Sequence, residues 1–165
     1  MCGITGFVDL WNMSDARGAE ERRETLDAMC RLIRHRGPDD QGVMLQSGVA
    51  LGMRRLSIID LAGGHQPIAN EDDAVTIVCN GEIYNYRELQ KELRARGHSF
   101  RTNSDTETII HAYEEFGASC VDHLRGMFAF AIWDDRNKKL FIARDRVGKK
   151  PLYYSVTHGG TLVFG

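Results

Sequence analysis

The chain opens with the letters MCGITGF, and the cysteine at position 2 constrains what the chain can fold into more than any other feature. An initiator methionine is usually removed before a small second residue, so the mature chain is expected to begin with Cys2. A terminal cysteine carries a thiol with a pKa of about 8.5 and an amine with a pKa of about 8. The amine can then accept the thiol proton, which places nucleophile and base on one residue. Ile4, Phe7 and Val8 can anchor such a terminus as a buried strand. The alternative is an ordinary first strand with an incidental cysteine.

The composition excludes several functional classes. Of 165 residues, 42% are hydrophobic and 27% are charged, which is typical of a soluble globular domain. The formal net charge of −2 gives no general attraction to nucleic acid or to an anionic membrane. The sequence has no apolar run of the ~20 residues that span a bilayer and no signal peptide. Its four cysteines lack the spacing of a metal site, so they are expected to be reduced thiols in a cytoplasmic protein.

Hydrophobic periodicity predicts alternating strands and helices. A polar loop over 12–21 precedes a helix over 23–34, which Gly37 and Pro38 end. Asn85 and Glu88 form a capping-box pattern at the start of a second helix, and Ser104 and Glu107 do so for a third. A short helix is predicted at 120–124. Further strands are predicted at 43–45, 49–53, 75–79, 127–133, 140–143, 151–156 and 161–164.

Two dipeptides and one basic segment allow more than one interpretation. Asn80-Gly81 between apolar runs is the strongest short hairpin signal, yet an Asn amide and a Gly N–H can also form an oxyanion hole. Arg54 and Arg55 at a strand end can be solvated, or one can clamp a carboxylate through its guanidinium fork. The basic segment 144–150 lacks the spacing of a phosphate-binding loop and is interpreted as a solvated connection.

Eight motifs together give the chain a family resemblance. They are MCGITGF, RHRGPDDQG, RRLSIIDL, QPIANED, CNGEIYNY, SDTE, RGMFAFAIWD and ARDRVGKKPLYY. The set resembles the glutaminase domain of class II glutamine amidotransferases, which are N-terminal-nucleophile hydrolases. The Arg-Gly-Pro-Asp form of the second motif is most similar to glutamine-hydrolysing asparagine synthetases.

The resemblance implies a role for each matching residue. The thiol of Cys2 would attack the side-chain amide of glutamine, with its own amine as base, to form a thioester. Asn80 and the Gly81 N–H would form the oxyanion hole. The residues implied to bind the substrate are Arg55 at the α-carboxylate, Glu82 and Asp105 at the polar and amino end, and Ile58 through its backbone.

The resemblance also implies a fold and a molecular context. The fold is α+β, a four-layer αββα sandwich with two antiparallel sheets between helix layers. The domain would cover 2–165 and be truncated at its C-terminal end, with the synthetase domain absent. No cofactor or metal is expected in this domain; ATP and Mg would serve the synthetase domain, which accepts the ammonia.

The partners implied are L-glutamine and that synthetase domain, without nucleic acid or membrane, and the resemblance allows a homodimer. Three alternatives remain open at this stage. One is an amidotransferase domain that serves another ammonia acceptor. The others are a non-catalytic sensor or scaffold with this fold, and a different N-terminal-nucleophile hydrolase.

Overall fold

The computed structural model describes residues 2–11, 18–56 and 64–165. Within these ranges the helices are α1 (Ala19–Leu32), α2 (Tyr86–Ala95), α3 (Asp105–Phe116) and α4 (Cys120–His123), with 3-10 turns at Arg34–Arg36 and Gly117–Ser119. The strands are β1 (Gly3–Asp9), β2 (Asp40–Gln46), β3 (Val49–Arg55), β4 (Ile68–Ala69), β5 (Val75–Ile83), β6 (Gly126–Asp134), β7 (Lys139–Arg144), β8 (Tyr154–Val156) and β9 (Thr161–Phe164).

The strands form two antiparallel sheets. One sheet has the order β2-β3-β1-β9-β8, and the other has the order β4-β5-β6-β7. Side chains that alternate along β1, β3, β5 and β6 meet between the sheets, among them Ile4, Leu51, Val78 and Trp133. This apolar layer holds the two sheets face to face.

Helices cover the outer faces of both sheets. Leu26 and Cys30 of α1 pack on Phe7 and Ala50 of the first sheet. The apolar stripes of α2 and α3, with Leu93 and Ile109, pack on the other face of the second sheet. The order of layers is therefore helix, sheet, sheet, helix, which confirms the predicted αββα sandwich.

The helix starts differ from the sequence expectations. Helix α1 begins at Ala19 instead of 23, so the polar stretch before it is shorter than predicted; residues 12–17 lie outside the described ranges. Asn85 occupies the N-cap of α2, but its side chain makes no capping bond. It instead donates to the carbonyl of His123 at 2.9 Å and accepts from the N–H of Arg125 at 2.9 Å. The predicted capping box at Asn85 is wrong because the side-chain amide is used to bind the backbone between α4 and β6.

Ser104 caps α3 as predicted, and it accepts a hydrogen bond from the Thr106 N–H. The carboxylate of Glu107 does not close the box. It accepts from the backbone N–H groups of Arg101 and Thr102 and so fixes the segment that leads into the helix.

The basic segment 144–150 is not simply solvated. Its acidic residue, Asp145, is 5% exposed and accepts hydrogen bonds from the N–H groups of Lys149, Lys150 and Phe128. Lys150 is also buried, whereas Val147 is fully exposed at the tip. The carboxylate organises the turn from inside, which periodicity could not indicate. Among the described residues, no helix is long and apolar enough to cross a membrane.

Candidate active site

Cys2 lies immediately before β1 and is held from several sides. Its side chain is partly buried against the apolar layer between the sheets. The thiol sulfur lies 4.0 Å from the carbonyl oxygen of Leu56, just past β3. Arg36 donates from Nε and Nη2 to the carbonyl oxygen of Cys2 at 3.4 and 3.5 Å. The start of the chain is thus fixed where a thiol can meet a ligand.

The register of β1 and β3 brings Arg55 opposite this thiol. Gly3 is paired with Arg54, so the next position along the ladder sets Cys2 against Arg55. Side chains alternate along a strand, and Ile4 and Met53 point between the sheets. Cys2 and Arg55, each two positions away, therefore share that inner face.

Arg54 points to the other face and has a structural role. Its Nε donates to the carbonyl of Gly37 at 2.8 Å, and its Nη2 donates to the carbonyl of Pro38 at 3.1 Å. Its Nη1 donates to Gln41 Oε1 at 3.2 Å. Arg54 thereby holds the turn after α1, while Arg55 is buried on the Cys2 side with its guanidinium beside Gly64. This division supports Arg55 as the carboxylate clamp.

Asn80 and Glu82 lie on the inner face of β5. Val78 packs between the sheets, so the alternation places Asn80 and Glu82 on the same side. Asn80 is 3% exposed, and its amide makes no hydrogen bond to a described residue. Glu82 is exposed at the rim. An amide in this position is available to a ligand in the space beside Cys2.

Asn80-Gly81 is not a hairpin. Strand β5 runs through both residues and pairs with β6 from Val75 to Ile83. Gly81 permits this close pairing because it has no Cβ; a Cβ at this position would overlap with the backbone oxygen of Met127. The turn interpretation of this dipeptide is therefore wrong.

The Gly81 N–H points to the open edge of β5. The N–H of Asp145 donates to the carbonyl of Phe128 at 2.8 Å, so the polar backbone groups of Phe128 face β7. Gly81 is paired with Phe128. In an antiparallel ladder such a pair exchanges no hydrogen bonds, and the Gly81 N–H therefore faces away from β6.

At the positions on either side of Gly81 along this edge, side chains form hydrogen bonds with the backbone. The Gln66 amide accepts from the N–H of Cys79 at 2.6 Å and donates to its carbonyl at 3.2 Å, as a neighbouring strand would. Asp105 Oδ2 accepts from the N–H of Ile83 at 2.8 Å. Between them, the Gly81 N–H has no acceptor among the described residues. Consecutive free donors from Asn80 and Gly81 form the arrangement that stabilises a developing oxyanion.

Asp105 begins α3 at the same edge. Burial raises the pKa of its carboxyl, and the nearby charge of Glu82 raises it further, although hydrogen bonds from backbone N–H groups act in the opposite direction. Two neighbouring carboxylates favour a cation between them, such as an ammonium group. Ile58, the remaining predicted site residue, lies outside the described ranges.

Cys79 and Lys150 lie close to this region. Burial raises the pKa of the Cys79 thiol most, Asp105 and Cys2 raise it further, and Lys150 acts in the opposite direction. The structure thus places Cys2, Arg55, Asn80 and Glu82 on the facing inner sides of the two sheets, with Gly81 and Asp105 at the adjoining edge of β5. Three further residues contact or lie near this region, although the sequence analysis gave them no role in it. These are Arg36, Gln66 and Lys150; only their places in the quoted motifs could have indicated them.

Comparison with known families matches residues 1–165 to the glutamine amidotransferase domain model. One relative, asparagine synthetase [glutamine-hydrolyzing] 3 of Bacillus subtilis, is 46% identical over 167 residues, covering 100% of this chain and 26% of the relative. Asparagine synthetase [glutamine-hydrolyzing] 2 of Oryza sativa is 42% identical, covering 99% of this chain and 27% of the relative. The chain thus spans about a quarter of these relatives.

Two solved structures share the fold. One is described as the allosteric regulatory enzyme of purine biosynthesis, with a TM-score of 0.75 and 19% identity, covering 99% of this chain and 41% of that one. The other is the glutamine phosphoribosylpyrophosphate amidotransferase of B. subtilis, with a TM-score of 0.72 and 17% identity over the same shares. At these identities the likeness concerns the fold alone.

Proposed function

Because this chain belongs to the glutamine amidotransferase domain family, we propose that it hydrolyses L-glutamine to glutamate and ammonia. The observation that carries the proposal is the free Gly81 N–H beside the unpartnered Asn80 amide, on the face that Cys2 occupies. A carbonyl carbon placed against the thiol would present its oxygen to these two donors. This geometry serves amide cleavage by a nucleophile.

The reaction follows from groups on the chain itself. The free amine of Cys2 accepts the thiol proton, and the sulfur adds to the side-chain amide carbon of glutamine. The resulting oxyanion is stabilised by Asn80 and Gly81. The amine returns the proton to the leaving nitrogen, so ammonia departs and a thioester forms. Water then adds to the thioester, which yields glutamate and the free thiol.

The substrate is held at its amino-acid end. The buried guanidinium of Arg55 binds the α-carboxylate through a bidentate pair of hydrogen bonds. Glu82 and Asp105 attract the α-ammonium group. A free amino acid needs both of these opposite charges, whereas a peptide or acyl amide needs neither.

We further propose that the ammonia serves ATP-dependent asparagine synthesis in the full-length protein. The support is the identity to glutamine-hydrolysing asparagine synthetases along the whole of this chain. The full-length protein would then be a cytoplasmic ligase whose synthetase domain uses ATP and Mg, and which could assemble as a homodimer. The glutaminase reaction itself requires no cofactor in this scheme.

Product analysis tests the proposal. The full natural protein is incubated with L-glutamine, and glutamate, ammonia and asparagine are quantified. Without aspartate, ATP and Mg we expect glutamate and ammonia in equal amounts; with them, asparagine should form at the expense of free ammonia. We expect Cys2→Ala to abolish glutamate release, whereas Cys120→Ala, which alters a buried thiol in the apolar cluster between the second sheet and its helices, should retain it. Absence of glutamate from folded protein with a verified Cys2 terminus would refute the glutaminase assignment. Release of glutamate without formation of asparagine would refute the proposal that the ammonia is used for asparagine synthesis.

A further inference from the structure

A second cluster of ionisable side chains lies on the opposite side of the second sheet from Cys2. It is built by α3, the segment before it and the turn that connects β4 to β5. Its members are Glu71, His98, Glu107, His111, Glu114 and Glu115. None of these residues has a part in the proposed glutaminase reaction.

One nitrogen of each histidine points into the cluster. His111 Nδ1 lies 3.2 Å from Glu114 Oε2 and 3.9 Å from Glu71 Oε1. His98 Nδ1 lies 3.8 Å from the same Glu114 oxygen. The donor atoms of Glu71, His98 and His111 all lie within 4.8 Å of one another. Ligand atoms around a tetrahedral Zn²⁺ are about 3.4 Å apart, so the most distant pairs of this group would move together by up to about 1.4 Å when an ion binds.

The other nitrogen of each histidine faces a separate carboxylate. His111 Nε2 is 3.7 Å from Glu107 Oε1; it is buried and has no hydrogen-bond partner among the described residues. His98 Nε2 is 3.3 Å from Glu115 Oε2. His111 Nδ1 is at hydrogen-bond distance from Glu114 Oε2 and donates to it when it carries the proton. When the outer nitrogens carry the protons instead, the inner lone pairs point at Glu114, which is repulsive unless a cation lies between them. A carboxylate behind a histidine is also the usual support of a metal ligand.

Fixed donors hold the inner carboxylates in place. Glu114 Oε1 accepts from Asn70 Nδ2 at 2.6 Å and pairs with Arg136 at 3.3 Å, which leaves Oε2 to the histidines. Glu71 Oε1 accepts from the N–H of Ser99 at 2.9 Å. The orientation of both oxygens therefore does not depend on a bound ion, so the donor set is organised in advance.

We propose that Glu71, His98, His111 and Glu114 bind a divalent transition-metal ion. Two imidazoles and two carboxylates suit Zn²⁺ in tetrahedral geometry. The sequence expectation of no metal in this domain rested on the family resemblance and on cysteine spacing, and cysteine spacing gives no signal for ligands drawn from a turn, a connecting segment and a helix. The ion would tie these three elements together at α3, whose first residue is Asp105.

A proton is the competing occupant. Although desolvation opposes the charged imidazolium, the neighbouring carboxylates of Glu107 and Glu114 raise the pKa of His111 to about 9. Chain cations also surround the cluster: Arg136 contacts Glu114, and Arg96 pairs with Glu115 at 2.8 Å. The test must therefore detect the metal itself.

Titration with Co²⁺ provides that test. The protein is stripped with a chelator, and Cys2→Ser is used as the background so that the partly exposed thiol cannot bind the ion. We expect one Co²⁺ per chain with the visible absorption of tetrahedral coordination, displaced by Zn²⁺, and a melting temperature that Zn²⁺ raises. Absence of both this absorption and the Zn²⁺-dependent rise in melting temperature in folded protein would overturn the proposal.

Variants locate the ion. His98→Gln, at a partly exposed ligand, should abolish the absorption, and Glu115→Gln should weaken Co²⁺ binding about 10-fold, as loss of a supporting carboxylate does. His158→Gln removes an exposed histidine elsewhere and should bind as the background does. Equal affinity for Co²⁺ in the His98→Gln and His158→Gln variants would also overturn the proposal. None of these readouts depends on glutaminase activity.

Discussion

Cys2 and Arg55 face each other across the β1–β3 ladder, one step beyond the pair formed by Gly3 and Arg54. The register therefore fixes both which residues meet and which face they share. A shift of one residue would bring Arg54 to the inner face and send Arg55 outward. The nucleophile and the proposed carboxylate clamp are thus positioned by the same backbone hydrogen bonds.

The first prediction separates the two adjacent arginines by activity. We expect Arg55→Ala to raise KM for glutamine strongly, with a loss of about 2–4 kcal/mol of substrate stabilisation, because a charge-assisted bidentate contact is removed. Arg55→Lys keeps the charge but not the fork, so it should recover only part of this loss. Steady-state kinetics of glutamate release measure both effects.

Arg54→Ala is the matched control, and its defect should appear in stability. Loss of the bonds to Gly37, Pro38 and Gln41 should lower the free energy of unfolding by about 1–3 kcal/mol. KM of the folded variant should change little. If Arg54 proved to be the residue that controls KM, the assignment of Arg55 as the carboxylate clamp would be wrong.

The second prediction concerns the oxyanion donors. Asn80→Ala should reduce kcat about 10²–10³-fold, because one donor to the developing charge is lost. The melting temperature should remain close to that of the parent, since this amide bonds no described residue. Gly81→Ala is the contrast: its methyl group would overlap with the backbone of β6, so it should unfold the protein more readily. Parallel loss of kcat and melting temperature in Asn80→Ala would contradict the assignment.

The third prediction is selective labelling of one thiol in four. Burial raises the pKa of Cys30 to about 11 and that of Cys120 to about 12, and it also raises the pKa of Cys79. These three thiols are buried, whereas Cys2 is partly exposed. We expect iodoacetamide near neutral pH to add a single group, at Cys2, as judged by intact mass and peptide mapping. Labelling of folded Cys2→Ala at a similar rate would refute this.

The fourth prediction concerns the turn that Asp145 organises. Backbone N–H groups of Lys149, Lys150 and Phe128 hold the pKa of this carboxyl below its usual range, although burial alone would raise it. A depressed pKa contributes stability above the unfolded value of about 3.9, and this is lost as the pH falls through the folded value. Asp145→Asn should therefore destabilise the protein by about 1–3 kcal/mol near neutral pH. The difference should shrink towards pH 3 in urea-unfolding measurements.

Local sequence patterns predicted the strands and helices of this fold better than the details of its site, and the order of the layers came from the family resemblance. Periodicity found the helices and the longer β-strands because burial on one face imposes a repeat, but it missed the two-residue strand β4. The Asn80-Gly81 signal failed because the same dipeptide suits a turn and a close approach of two strands. Arg36 and Gln66 act through backbone contacts with residues distant in sequence, at Cys2 and Cys79. No local pattern encodes such pairs; the resemblance to a family pointed to the motifs but not to these contacts.

The last prediction tests the amine and the thiol of Cys2 together. While Met1 remains attached, the nitrogen of Cys2 is a peptide amide with no useful basicity. Protein that retains Met1 should therefore fold normally and release no glutamate. Cys2→Ser, with Met1 removed, should also be nearly inactive because a hydroxyl is a far weaker nucleophile with the same base.

The two forms can be compared in one preparation series. Intact-mass measurement establishes the terminus, and an aminopeptidase that removes Met1 should switch glutamate release on in the same sample. Arg36 and the β1 register hold Cys2 by its carbonyl and by the strand that follows it, so neither anchor depends on the terminal amine. Both forms should accordingly melt at similar temperatures, which separates loss of the base from loss of the fold. Comparable glutaminase rates with and without Met1 would show that the amine is not the base, and a different group would then have to accept the thiol proton.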